Sequence, residues 1–354
     1  MAVKILSKQE KLGILLQPTW GTPIADAGAF KLCQWINAGT LNANPDVQID
    51  QFNVTSQNGI HFESERFFAD ATSGLPTIPF SGTCEKATMA MFLAGAMQVV
   101  AEAATTPYLK TMTCGGIAAP IDFAAGSGIL HTLALVQGDG DDGVILSDAI
   151  IQNLNIVWDL NARGVARLVN MSGAWVGRLL EYEQTIVDAN WANTTIAQSG
   201  FFNNTDTWTL TGAGALTIDE VDYSAECVRR VELQINNNVT SNCKTTGGKA
   251  AQYDTAPEYK FIVTLDYNAT TEKLLLDYTS GETATVIWTN DSAGATTDGM
   301  WTVGITSGAT GKLMSPPKIY NGDFIGIQLE IRAYSTGGNS PLTVLYTDTL
   351  DYGY

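Results

Sequence analysis

Apolar and polar residues alternate along much of the chain. From Ala149 to Leu160 (AIIQNLNIVWDL), Ile150, Leu154, Ile156, Trp158 and Leu160 fall on one side, while Asn153, Asn155 and Asp159 fall on the other. A period of two with one apolar side predicts a strand with one packed face and one wet face. The turn Asn161-Ala162-Arg163-Gly164 and the run from Val165 to Val176 complete a predicted hairpin. Asp323 to Ala333 (DFIGIQLEIRA) repeats the pattern, with Ile325, Ile327, Leu329 and Ile331 opposite Gln328, Glu330 and Arg332. The polar run from Ser335 to Ser340 and the alternation from Leu342 predict a second hairpin over 323–348.

Helix is scarce. Thr83–Val99 is one candidate, with Thr83 as N-cap and Glu85 and Lys86 in its first turn; Thr270–Tyr278 is a shorter one. Thr83-Cys84-Glu85-Lys86 parallels Thr270-Thr271-Glu272-Lys273, and each candidate runs out at a glycine, Gly95 or Gly281. A predicted strand precedes each (LPTIPFSG, YKFIVTLDYN), and a β segment and a hairpin follow each (GILHTLALVQ, ETATVIWTND). FKLCQWINAGTL from Phe30 corresponds to ECVRRVELQINNNV from Glu226. The repeated order predicts a tandem duplication of two mainly β domains, 1–190 with an N-terminal arm and 191–354, each with a short flanking helix and a long loop. The loops are 44–74, containing Asn44, His61 and Gly74, and 236–257, containing Asn238, Lys244 and Lys249. Excursions of that length imply a task, here contact with neighbouring subunits.

Composition narrows the function. The 354 residues carry 19 Lys+Arg and 36 Asp+Glu, a formal charge of −17, with 45% hydrophobic and 16% charged residues. This apolar content excludes a disordered chain, and the low charge fraction excludes a solvated helical rod. A chain so acidic is not built to grip nucleic acid, although nucleic acid could slide past it. No apolar run reaches the roughly 18 residues of a membrane helix, and Lys4, Lys8 and Lys11 interrupt the N-terminal segment, so no signal peptide is expected.

Candidate chemistry is thin. His61 and His131 are the only histidines, one in a loop and one in a strand, which leaves little material for a Ser-His-Asp or Cys-His centre. The five cysteines fit no zinc spacing and are expected to be reduced and structural. The acidic run Gly138–Gly143 fails as a calcium loop, since Val144 and Ile150 stand where glycine and glutamate are needed. No phosphate-binding glycine motif is present. The expectation is a protein without enzymatic activity, metal or cofactor.

Three stretches, in this order, resemble the tail tube proteins (major tail proteins) of long-tailed bacteriophages: KLGILLQPTWGTPIA from Lys11, FSGTCEKATMAMFLAGAM from Phe80, and DAIIQNLNIVWDLNARGVARLVNMSGAWVG from Asp148. The resemblance implies β-sandwich or barrel-like tail-tube domains whose inner sheets join around a channel. With two such domains per chain, it implies trimeric, pseudo-sixfold rings stacked head to tail. It further implies a virion protein of the tail, assembled in the host cytoplasm, with itself, the tape measure protein, the tail terminator and baseplate or initiator proteins as partners. DNA would pass through the lumen without specific binding, and no membrane is involved. No immunoglobulin-like domain is expected after the last predicted hairpin. The wet faces at Asn153, Asn155 and Asp159 and at Gln328, Glu330 and Arg332 become the candidate lumen lining, and an acidic wall would keep DNA mobile. Other structural virion or surface proteins (a baseplate ring component, a decoration protein, an adhesin) share the β content, and a carbohydrate-binding β-sandwich is favoured only by the Trp and Tyr count.

Overall fold

The structure is a computed structural model that describes residues 11–21, 30–33, 36–39, 41, 49–51, 67–69, 75–105, 108–114, 128–136, 142–177, 179–185, 191–193, 200–202, 208–210, 214–245, 248–253, 257–279, 281–290, 300–305, 311–321, 324–335 and 340–348. The protein is mainly β and almost wholly antiparallel. In the first half run β1 (Lys11–Gln17), β2 (Phe30–Cys33), β3 (Ile36–Ala38), β4 (Ile49–Gln51), β5 (Phe67–Ala69), β6 (Thr77–Thr83), α1 (Met89–Met97), β7 (Gln98–Glu102), β8 (Tyr108–Cys114), β9 (Leu130–Val136), β10 (Asp142–Asp159), β11 (Asn170–Val176), β12 (Leu179–Thr185) and β13 (Trp191–Asn193). The second half adds β14 (Trp208–Leu210), β15 (Leu216–Ile218), β16 (Val221–Asp222), β17 (Val228–Asn236), β18 (Val239–Thr245), β19 (Gly248–Tyr253), β20 (Glu258–Asp266), α2 (Lys273–Leu276), β21 (Glu282–Asn290), β22 (Met300–Ile305), β23 (Gly311–Leu313), β24 (Lys318–Asn321), β25 (Ile325–Ala333) and β26 (Thr343–Asp348).

The largest sheet has the order β3–β6–β11–β10–β17–β20–β25, with β23 and β24 flanking the far side of β25. A second layer runs β7–β8–β26–β22–β21, and β14 and β15 pair with β21 beyond it. Alternation decides which side of each strand faces inward. Leu154, Ile156 and Trp158 of β10, Val231, Leu233 and Ile235 of β17, and Ile327, Leu329 and Ile331 of β25 are at most 1% exposed. They share one core with Val286, Trp288, Val303, Val344 and Tyr346 of the second layer. Trp158 bridges the layers, its ring 5.3 Å from Trp208 and 6.4 Å from Trp288. Because apolar area carries most of the folding free energy, this cluster is the main bond between the two layers.

The hairpin predicted over 149–176 is present, pairing Ile156 with Met171 and Leu154 with Gly173. The second predicted hairpin is not. β25 lies in the large sheet, paired with β20, whereas β26 crosses to the other layer, between β8 and β22. Both strands alternate as expected, but alternation specifies a buried face and not a partner.

The helices are shorter than predicted. α1 begins at Met89, with Thr88 rather than Thr83 at its N-terminus, because Thr83 is the last residue of β6. All nine residues of α1 are buried, as a helix apolar on every side must be. α2 is a single turn, preceded by Asn268, whose Oδ1 accepts the Thr270 and Thr271 N–H groups. Glu85 and Glu272, each ahead of its helix, stand alike. Glu85 O accepts the N–H groups of Thr88 and Met89, and Glu272 O those of Leu275 and Leu276.

The two long excursions contain paired strands. β4 pairs with β5 between β3 and β6, and β18 pairs with β19 between β17 and β20. In each half, the strands on either side of the ribbon also pair with each other, Asn37 opposite Ser81 and Leu233 opposite Phe261.

Candidate functional surface: the polar face of the large sheet

All six residues singled out on the wet faces lie on one side of the large sheet. Asn155 of β10 stands opposite Ser172, Ser172 opposite Ser81 and Ser81 opposite Asn37. In the other direction Asn155 faces Gln234, Gln234 faces Lys260, Lys260 faces Arg332 and Arg332 faces Lys312. Directly opposed residues share a face, so one polar row crosses the sheet from β3 to β23. Parallel rows join Asp159, Arg230, Thr264 and Gln328, and Val157, Glu232, Ile262 and Glu330. Asn153 faces Asn236, which faces Glu258.

The electrostatics of this face differ from the expected acidic wall. Toward β3 it is neutral, carrying Asn37, Ser81, Ser172, Asn155 and Asn153. Toward β25 it carries charges of both signs. Arg230 Nε lies 2.8 Å from Glu232 Oε1, and Arg230 Nη1 lies 4.0 Å from Asp159 Oδ2. Lys260 Nζ lies 3.4 Å from Glu330 Oε1. Arg332 lies 3.6 Å from Glu258 and 3.7 Å from Glu330. These pairs are partly solvated and contribute roughly 0–1 kcal/mol each to stability. Their effect is on the potential, since Arg230, Lys260 and Arg332 each have a carboxylate beside them. The acidity of the chain is therefore not concentrated on this face, because the strands that form it alternate Arg or Lys with Glu along their outer positions.

Of the loop candidates, Asn238 is exposed, with a left-handed backbone at φ 46° and its N–H donated to Asn236 Oδ1. Lys244 and Lys249 oppose each other in the ribbon β18–β19. Asn44, His61 and Gly74 lie outside the described residues, as does most of the acidic run Gly138–Gly143.

The main buried polar groups carry no signature in the sequence pattern. Lys110, fully buried, places Nζ 2.6 Å from Asp348 and 2.9 Å from Glu102. Asn237 Nδ2 donates to Ala96 O and Ile151 O, tying the second half to α1 and β10. Partners this far apart in sequence leave no local signal. His131 is buried against Trp175, with ring centroids 5.3 Å apart, and burial pushes its pKa down to about 3. Cys33, Cys84, Cys114 and Cys227 are free thiols, and burial raises the first three above the ordinary cysteine value. Among the described residues no cluster of His, Cys, Asp or Glu is placed to hold a metal, and no helix is long and apolar enough to cross a membrane.

Comparison with protein-family models gives no match, and comparison with curated proteins gives none either.

Proposed function

We propose that this protein is a tail tube subunit of a long-tailed bacteriophage, built from two tandem tail-tube-type domains, which polymerises as stacked rings around a channel for DNA. The observation that carries the reading is the order of the large sheet. Strands β3, β6, β11 and β10 of the first half are followed by β17, β20, β25 and the β23/β24 pair of the second, in the same spatial sequence. On this reading the junction β10–β17 is a domain-to-domain seam, and the two ends of the sheet are the halves of the same seam. Ile319 and Ile325, on the core-facing side at the β24 end, are each 59% exposed, whereas the corresponding side of β10 and β17 is buried. A second copy adding its β3 along β24 would cover them and remove an open edge. Head-to-tail addition of this kind closes into rings when the rotation allows it. The neutral and charge-balanced polar face would then line the channel and offer phosphate few unpaired cations.

Electron microscopy of the purified protein tests this. Wild-type protein should give stacked rings at high concentration, and Ile319→Lys should give folded monomers. A wild-type protein that stays monomeric under all assembly conditions, with Ile319→Lys indistinguishable from it, overturns the reading.

A further inference from the structure

We propose that β26 is a releasable clasp, the element whose docking locks the two halves together in the second layer and whose release leaves them hinged on the first. This inference rests on the fold alone and not on the tail-tube reading. β26 lies between β8 of the first half and β22 of the second, with Val344 opposite both Met112 and Val303. Among the described residues it makes the only strand pairing that joins the halves in that layer; the other layer is joined separately by β10–β17.

The two joins differ in chemistry. The β10–β17 seam faces the core with Leu154, Ile156, Trp158, Val231, Leu233 and Ile235, all apolar. The clasp also buries apolar groups, Leu342, Val344 and Tyr346, and Tyr346 donates its hydroxyl to Lys86 O. At its end, however, Asp348 pairs with Lys110, which also pairs with Glu102; the three side chains are 3%, 0% and 7% exposed. Burying three charges costs several kcal/mol of hydration per ion, which their attraction offsets only while all partners are in place. Undocking β26 returns these ions to water and recovers that cost, and the apolar seam has no such compensation. A strand held this way opens at a lower free energy than the sheet it completes. The same charges specify the occupant, since the slot accepts a strand that presents a carboxylate to Lys110.

Hydrogen exchange by mass spectrometry on the full chain tests this. Asp348→Ala should raise exchange at least ten-fold across β8, β22 and β26, with β10, β17 and β20 unchanged within two-fold. The triple variant Lys110→Met, Glu102→Met, Asp348→Leu should slow exchange in the same three strands below wild type. If Asp348→Ala does not fold, Leu109→Cys with Thr347→Cys decides, since these residues are directly opposed. The oxidised form should exchange at least ten-fold more slowly than the reduced form in β8, β22 and β26 alone. A change spread equally over both layers, or no change, overturns the clasp.

Discussion

Gln17 and Asp148, 131 residues apart, hold each other by both ends of the glutamine amide: Nε2 donates to Asp148 Oδ1 at 2.5 Å, and Oε1 accepts the Asp148 N–H at 2.8 Å. Thr132 Oγ1 donates to the same Oε1, and the Gly21 N–H donates to the Asp148 carboxylate. Asp148 has φ 52°, a left-handed conformation that costs a non-glycine residue about 1 kcal/mol or more. It sits where β10 leaves its pairing with β9 and β12 and enters its pairing with β11 and β17. The clamp thus fixes the bend that lets one strand serve two sheets. Replacing Gln17 by Ala strands several buried groups, and we expect a loss of about 2–3 kcal/mol in urea unfolding.

Gly173 is required by close approach. A Cβ there would lie 2.1 Å from Asn153 O and 2.8 Å from Phe80 Cζ. Gly173→Ala must push β11 away from β10, and we expect a cost of roughly 3 kcal/mol or more. Gly281 has φ +84° but open space around its Cβ, so Gly281→Ala should cost only about 1–2 kcal/mol. Denaturant midpoints of the two variants, compared side by side, check the order.

His131 makes stability depend on pH. Its folded-state pKa of about 3 lies below the ordinary 6.5, so the unfolded chain binds the proton first. The stability is complete above pH 6.5 and falls as pH drops toward 3, by about 1.4 kcal/mol per pH unit well inside that window. His131→Phe keeps a ring against Trp175 and should flatten this part of the profile. Carboxylates titrate in both proteins, so the difference between the two pH–stability curves is the measurement.

If the polar face lines a DNA channel, adding cations to its neutral and balanced rows should create phosphate contacts in every ring. Asn155→Lys with Gln328→Lys should permit assembly but slow genome ejection, with recovery at high salt. Normal ejection at low salt through intact tubes would place these residues away from the channel.

The ribbon β18–β19 is bounded by β17 and β20, which pair with each other without it. If the protein polymerises as proposed, replacing residues 240–253 by a short turn, which spares the buried Val239, should leave a folded protein that no longer polymerises. Circular dichroism and sedimentation velocity together separate that outcome from misfolding.

The sequence is informative where one face of a strand is buried. A one-residue slip of β10, β17 or β25 would expose Trp158 or bury Arg230, so the hydrophobic pattern alone decides which side of each strand is wet. Hence the polar face, with Asn155 and Arg332 on it, is readable. Pairing is not, since Ile325–Ala333 and Thr343–Asp348 alternate equally well whether they join each other or separate layers. The ribbon β18–β19 reads as a loop because the Asn- and Thr-rich stretch 236–257 is almost free of large apolar residues, and β4 and β5 are too short, at three residues each, to show an alternation. The Lys110–Asp348 pair, 238 residues apart, and the Gln17–Asp148 clamp depend on tertiary proximity alone.

The tryptophans between the layers have an optical consequence. Trp208 and Trp288 are stacked at 5.9 Å with their planes 13° apart, and Trp158 meets both edge-on. Indoles this close couple their excited states, so the native protein carries its own exciton signature in circular dichroism. Trp208 and Trp288 stand on the paired strands β14 and β21 and stay together when the layers part, whereas Trp158 belongs to the large sheet, so parting the layers removes its edge-on coupling and changes the signature. Separation of the sheets can be followed in unlabelled protein, in real time, at the wavelengths where these three rings absorb.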